Sequence, residues 1–170
     1  RDSQYILEGL IETDDAFIGS PGGKPGRGTE KAKIVVSTSV TEEGKPQFAK
    51  MDVVDDHSEA SLSGHIDKTI KRGSKITTDG FKGYSNLDKK GYTHKVVSSP
   101  KLLPWVHILI SNVKAFIAGT YHGVSNKHLR RYLAEYCYRF NRRFWESQLF
   151  GRLVNAVVNS SPVTYAELTQ

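Results

Sequence analysis

The 170-residue sequence predicts an α/β fold, a mixed five-stranded sheet flanked by helices with a helical C-terminal portion. Three observations predict it. The first third of the chain alternates with a period of two or runs β-branched, as strands do. From residue 105 onward the apolar residues recur at helical spacing instead. Between these regions the two patterns alternate in short pieces, with no linker long enough to separate domains. With 38% hydrophobic residues the chain can bury one substantial core, so a single domain spanning 1–170 is expected.

The elements follow in order. "QYILEGLIETDDAFIG" alternates and then runs apolar, which predicts a strand from Tyr5 to Thr13 ending at the acidic pair Asp14 and Asp15. "SPGGKPGRGTEK" (20–31) reads as a flexible basic loop. "AKIVVSTSV" (32–40) is a β-branched strand, "TEEGKP" a turn and "QFAKMDVVD" (47–55) a third strand, together an antiparallel meander. In "SEASLSGHIDKTIKR" (58–72), Ser58 suits an N-cap, and Leu62, Ile66 and Ile70 stand at i, i+4 and i+8; the helix is expected to close at Gly73. "SKITTDG" (74–80) is a short strand ending in an aspartate. "FKGYSNLDKKGY" (81–92) holds a short helix, and "THKVVSS" (93–99) is the fifth strand. Helices are expected over 105–118, over 125–145 with a break near Asn141, and over 147–158. Three strands, helix, strand, helix, strand and then helices is the order of the RNase H-like fold.

In that topology the first and fourth strands are neighbours, so Asp14 and Asp79 converge at one edge of the sheet. Two oxygen ligands close together suit Mg²⁺ or Mn²⁺, hard cations that keep several waters and hold phosphate oxygens. A pair of such ions about 4 Å apart serves in-line displacement at phosphorus. Each aspartate alone also fits an ordinary turn at a strand end.

"HILISNVKAFIAGTYHG" (107–123) has a helical apolar rhythm interrupted by His107, Asn112 and Lys114, and runs into a Gly-Thr-Tyr-His-Gly turn. His107 and Lys114 are seven apart and share one helix face, whereas Asn112 points elsewhere. A helix beside strands one and four thus presents a third metal ligand, His107, and a cation, Lys114, to hold a phosphate. The bland alternative is a helix-capping histidine and an ordinary surface lysine.

Charge distribution points to a polyanionic partner. The net charge is +6 and the pI near 9.4. From Lys127 to Arg152, seven basic residues face two acids, Glu135 and Glu146, and Tyr132, Tyr136, Tyr138, Phe140, Phe144 and Trp145 interleave with them. The basic set is Lys127, Arg130, Arg131, Arg139, Arg142, Arg143 and Arg152; the competing reading is an amphipathic helix with a solvated face. Its aromatics suit the core better than base stacking. His122 and His128 are candidates for phosphate contacts or for structural hydrogen bonds, and the basic loop either orders against DNA or stays disordered. No apolar run approaches the roughly 20 residues of a membrane span. The lone Cys137 allows no internal disulfide and no cysteine-based metal cluster, which suits a reducing, cytoplasmic compartment.

"ETDDAFIG" (12–19), "TDGFKGY" (78–84) and above all "GTYHGVSNKHLRRYLAEYCYRFNRR" (119–143) resemble the catalytic domain of bacterial insertion-sequence transposases. The subgroup resembled is the one related to eukaryotic Merlin transposons, within the DDE-type transposase and retroviral-integrase superfamily. The resemblance spans nearly the whole chain. It implies that Asp14 and Asp79 are the first two catalytic carboxylates. The family's third acidic position lies seven residues before a lysine that itself precedes the glycine of "G-T-Y-H" by five; here these are His107, Lys114 and Gly119. The chain therefore departs from a DDE pattern: the spacing favours His107, with Asn112 the alternative, and neither brings a negative charge, which weakens one metal site and favours Mn²⁺.

The resemblance further implies a two-metal Mg²⁺ or Mn²⁺ site, cleavage at the terminal inverted repeats of an element, and joining of the freed 3′ ends to target DNA. It implies a homodimer or larger assembly on DNA, nucleoid association when active, and an upstream zinc-ribbon or helix-turn-helix segment that this chain lacks. Ser125 is the expected N-cap of a helix whose basic face, from Lys127 to Arg143, turns to DNA. Two rivals share these residues: an RNase H-like nuclease that stops at hydrolysis, and a decayed or domesticated derivative that only binds DNA.

Overall fold

The computed structural model describes residues 5–19 and 31–169. The expected basic loop, apart from Lys31, lies outside them. β1 (Leu10–Ile18), β2 (Ala32–Val40), β3 (Pro46–Val54), β4 (Lys75–Thr78) and β5 (Thr93–Val96) form one sheet in the order β3-β2-β1-β4-β5. β1, β2 and β3 pair antiparallel as a meander; β4 and β5 join parallel to β1. The parallel pairing requires crossovers. α1 (Glu59–Thr69) supplies the first, and two short 3₁₀ turns, Lys82–Tyr84 and Asp88–Lys90, supply the second where one short helix was expected.

Helices cover both faces. α2 (Pro104–Tyr121) and α3 (Asn126–Arg142) bury Val106, Leu109, Val113, Ile117, Leu129 and Leu133 against Ile34, Val36, Ala49 and Met51 of the sheet. α1 buries Leu62 and Ile66 on the other face against Ile11, Val35 and Ile76. The centre of β2 is buried on both faces, which is why its sequence is a near-continuous apolar and hydroxyl run. α3 lies along β3, an edge strand, and Asn141 closes that edge: its amide donates to the carbonyl of Ala49 (3.0 Å) and accepts from its N–H (2.7 Å). The break expected near Asn141 falls one residue on: α3 ends at Arg142, whose φ of −112° and ψ of 4° leave the helical region, and a 3₁₀ turn, Arg143–Gln148, follows, kinked at Trp145. α4 (Leu149–Val158) buries none of its residues and leaves Phe150, Leu153, Val154, Val157 and Val158 exposed. A last short helix, α5 (Tyr165–Thr169), was not expected.

Three boundaries depart from the sequence reading. β1 does not end at Asp14; it begins after Gly9, whose φ is +87°, and runs on to Ile18, so Asp14 and Asp15 lie mid-strand. The partner decided this: all nine residues of β1 pair with β2, including the apolar Ala16, Phe17 and Ile18. α1 stops at Thr69, short of Gly73, because Ile70 leaves the helix to bridge Leu7. α2 continues through Gly119 to Tyr121, and only His122 and Gly123 form the turn. Ser58 caps α1 as expected, accepting from the Ser61 N–H, whereas Ser125 stands at the α3 N-cap without a side-chain cap bond.

Candidate active site

Alternation along β1 sends Glu12, Asp14, Ala16 and Ile18 toward α2, and Ile11, Thr13 and Asp15 toward α1. In the parallel pairing with β4, Glu12 stands opposite Thr77; continuing that register by two residues brings Asp79, one residue past β4, level with Asp14. Asp79 is held there by an Asx turn, its Oδ1 accepting from the Phe81 N–H at 3.0 Å. The Thr78 hydroxyl beside it bonds His94 Nε2 at 2.8 Å, fastening β4 to β5.

From α2, His107 brings Nδ1 to 3.6 Å from Asp14 Oδ2. Lys114, two turns further along the same face, acts electrostatically on the same carboxylate. Asn112 instead acts on Tyr136 of α3. Asp14, Asp79, His107 and Lys114 are therefore brought together, and Asn112 is not among them.

Asp14 is 9% exposed, and its pKa is pushed up from 3.8 to about 7. Burial is the largest cause, reinforced by the charges of Asp15 and Asp79; the Asp15 N–H at 2.9 Å and the Lys114 ammonium oppose it. Among the described residues, no three His, Cys, Asp or Glu side chains are grouped closely enough to form a ready-made metal centre. The donor set nonetheless fits a hard divalent cation. Mg²⁺ takes only one or two protein carboxylates and completes its shell with water and phosphate oxygens, and the excess negative charge at Asp14 is what such an ion relieves.

Several supporting residues escaped the sequence reading. Buried Glu12 accepts the backbone N–H groups of Trp105 and Val106, both at 2.9 Å, and so satisfies the start of α2 immediately before His107. Burial raises its pKa, and those two bonds oppose the rise. The signal was available in Glu12-x-Asp14, since residues two apart on a strand share a face, but its partner lies over 90 residues away. Asp15 binds His57 Nδ1 at 2.9 Å with both side chains nearly buried. Tyr84 is fully buried, and its hydroxyl is made less acidic by burial and by Asp15, Asp14 and Asp79. At Gly83 a Cβ would come within 2.5 Å of Leu62 Cδ1 and 2.8 Å of Phe81 Cε1, so any larger residue would displace those side chains.

The basic residues of α3 divide. Lys127 and Arg130 are exposed. Arg131 is exposed and donates to the Glu167 carbonyl, and Arg139 pairs with Glu135. Arg142 stacks on Tyr138 and Arg143 on Phe140 and Phe144, with Arg143 also donating to the carbonyls of Pro46, Gln47 and Phe140.

A five-stranded sheet of this order, with paired carboxylates at the β1/β4 junction, defines a catalytic-core fold of the integrase type. The catalytic core domain of BIV integrase superposes with a TM-score of 0.56 at 13% identity, over 88% of this chain and 99% of that one. The sequence matches the ISXO2-like transposase domain over residues 6–141, and the chain belongs to that family. No match is found among curated proteins. Among the described residues no helix is long and apolar enough to cross a membrane.

Proposed function

We propose that the chain is the catalytic core of a DNA transposase that cleaves at the ends of an insertion sequence and joins the freed 3′ ends to target DNA. The observation that carries this reading is the approach of His107 to Asp14, from α2 onto β1, with Asp79 and Lys114 in the same field. Asp14 and Asp79 would hold Mg²⁺ or Mn²⁺ with His107 as third donor, and the bound ions would activate the attacking hydroxyl and stabilise the leaving oxygen.

The chain's own side chains do the positioning. Lys114 holds the phosphate that Asp14 and Asp79 would otherwise repel. Glu12 anchors the first turn of α2 and so sets where His107 stands. His57 orients Asp15 and keeps that carboxylate turned from the reacting phosphate. Lys127, Arg130 and Arg131 contact the DNA backbone along α3. Exposed Arg139 joins them, and Arg142 and Arg143, half-buried against aromatic rings, contribute less. Two copies act together on paired ends.

The test is nicking and strand transfer on supercoiled DNA with Mn²⁺ or Mg²⁺. Asp79→Ala and His107→Ala are expected to lose both activities, and Asn112→Ala to keep them. Loss in Asn112→Ala alone would move the third position to Asn112. Nicking without strand transfer would favour a nuclease of the same fold. The neutral third position also supports a second reading, a derivative that only binds DNA; it gains if every version is inactive yet binds DNA.

A further inference from the structure

α4 buries none of its own residues, yet it carries the apolar pattern of a helix that packs. Phe150, Leu153, Val154 and Val157 recur at i, i+3, i+4 and i+7, with Val158 at the margin, and all five are 45–79% exposed. Gly151, Arg152 and Asn155 take the opposite side. A helix of 10 residues is marginal in water unless something covers its apolar face. These five side chains expose roughly 500 Å² of apolar surface, near the upper end of what a monomer shows.

The two halves of α4 differ in shape. Leu149, Phe150 and Leu153, from the first half, line a groove of about 720 Å³ with Tyr138 of α3. Val154, Val157 and Val158, from the second half, stand outside that groove as an exposed ridge. A groove and a ridge on one helix make a self-complementary surface. A two-fold axis between Leu153 and Val154 sets two such helices antiparallel, so that Phe150 meets Val157 of the second copy and Leu149 meets its Val158.

Charge and area favour a second copy as the occupant. The chain carries a net charge of +6, which makes most of its surface repel its own kind. At the groove, however, two acids, Glu135 and Glu146, stand beside Arg139 and Arg143, and Glu135 pairs with Arg139 at 2.8 Å. An anionic membrane favours a helix whose polar face is rich in lysine and arginine. α4 offers only Arg152, which is bonded to Gln148 and lies over Trp145. Two copies of the apolar face together bury about 1,000 Å², the size at which a specific interface begins.

We infer that α4 is a dimer interface, in which the antiparallel α4 of a second copy seats its valine ridge in the groove. Trp145 stacks on Phe48 of β3, so α4 leaves the body at the β3 edge of the sheet, the edge opposite β5. The contact needs no DNA, and it stands or falls separately from strand transfer.

Sedimentation of the native chain without DNA should show a dimer. Phe150→Lys and Val157→Glu, both at exposed positions, should each weaken that dimer about a hundredfold. Mixed in equal amounts the two variants should recover most of the affinity, because position 150 of one copy then faces position 157 of the other with opposite charge. Such recovery also shows that both variants fold. In the native chain, amide exchange over 149–158 should slow as concentration rises. A monomeric native chain, dimers that survive both variants, or loss without recovery by folded variants overturns the pairing. Exchange that is independent of concentration does the same, and decides alone if a variant fails to fold. A native chain that is monomeric but binds anionic vesicles through Phe150 would assign the face to a lipid surface instead.

Discussion

Asp14 and Asp52 belong to the same sheet, face opposite sides of it, and are pushed in opposite directions. Asp14, under α2, is raised to about 7 by burial and by two neighbouring carboxylates. Asp52, under α1, is held at about 2: burial alone would raise it, but the His65 hydrogen bond and charge, with Lys68 behind them, outweigh burial. A chain of polar contacts continues inward from Asp52. Its Oδ2 lies 2.8 Å from His65 Nδ1, His65 Nε2 lies 3.0 Å from Ser37 Oγ, and Ser37 lies 2.9 Å from the Thr13 hydroxyl. Ser, His and Asp are arranged here as in a nucleophilic triad, yet Ser37 is 0% exposed and no substrate reaches it. Where the protein supplies the counter-charge itself, a buried polar group is structure. Where it gathers like charges instead, as at Asp14, stability is given up at a site that, in the function proposed above, an outside cation would complete.

The largest expected effect is on the satisfied side. His65→Ala strips Asp52 and Ser37 of their shared partner inside the fold and should cost about 3–5 kcal/mol in urea unfolding. An unchanged denaturation midpoint would show that this chain of contacts carries no stability.

On the other side the sign reverses. The folded pKa of Asp14 exceeds its unfolded value, so its contribution is complete below about pH 4 and is lost as pH rises through 7. With chelator present, Asp14→Asn should therefore stabilise the chain by up to about 4 kcal/mol at pH 8 and by almost nothing at pH 4. Destabilisation at pH 8 would contradict the comparison. Mn²⁺ should recover the same loss in the native chain, raising Tm at pH 8, and should raise it far less in Asp79→Asn.

Asp52 contributes above its unfolded pKa, and that contribution disappears as pH falls from about 4 through 2. Asp52→Asn should cost about 2 kcal/mol at pH 6 and flatten the acid-unfolding profile. Ser37→Ala, at the inner end of the chain of contacts, should cost about 1 kcal/mol, measurable as a shift in midpoint without a change in slope.

Much of the site was legible because it rests on local rules. Helical period alone puts His107 and Lys114 on one face, and the element order alone makes β1 and β4 neighbours, which pairs Asp14 with Asp79. What escaped depends on partners far along the chain. Glu12 reads as a strand acid until α2 lays Trp105 and Val106 over it. His57 looks like a loop residue until Asp15 takes its Nδ1. Asn141 reads only as a residue near a helix end until it meets the open edge of β3.

By itself, the sequence determined the five strands and the longer helices, their order, the fold class and which side chains share a face, because these follow from periodicity and chain connectivity. Only the tertiary structure decided that β1 runs past Asp14 to Ile18, that Asn112 turns to Tyr136 while His107 turns to Asp14, and that Asp14 is raised while Asp52 is lowered. Strand ends, rotational setting and pKa all depend on burial and on charges brought in by distant segments, and no local pattern encodes those.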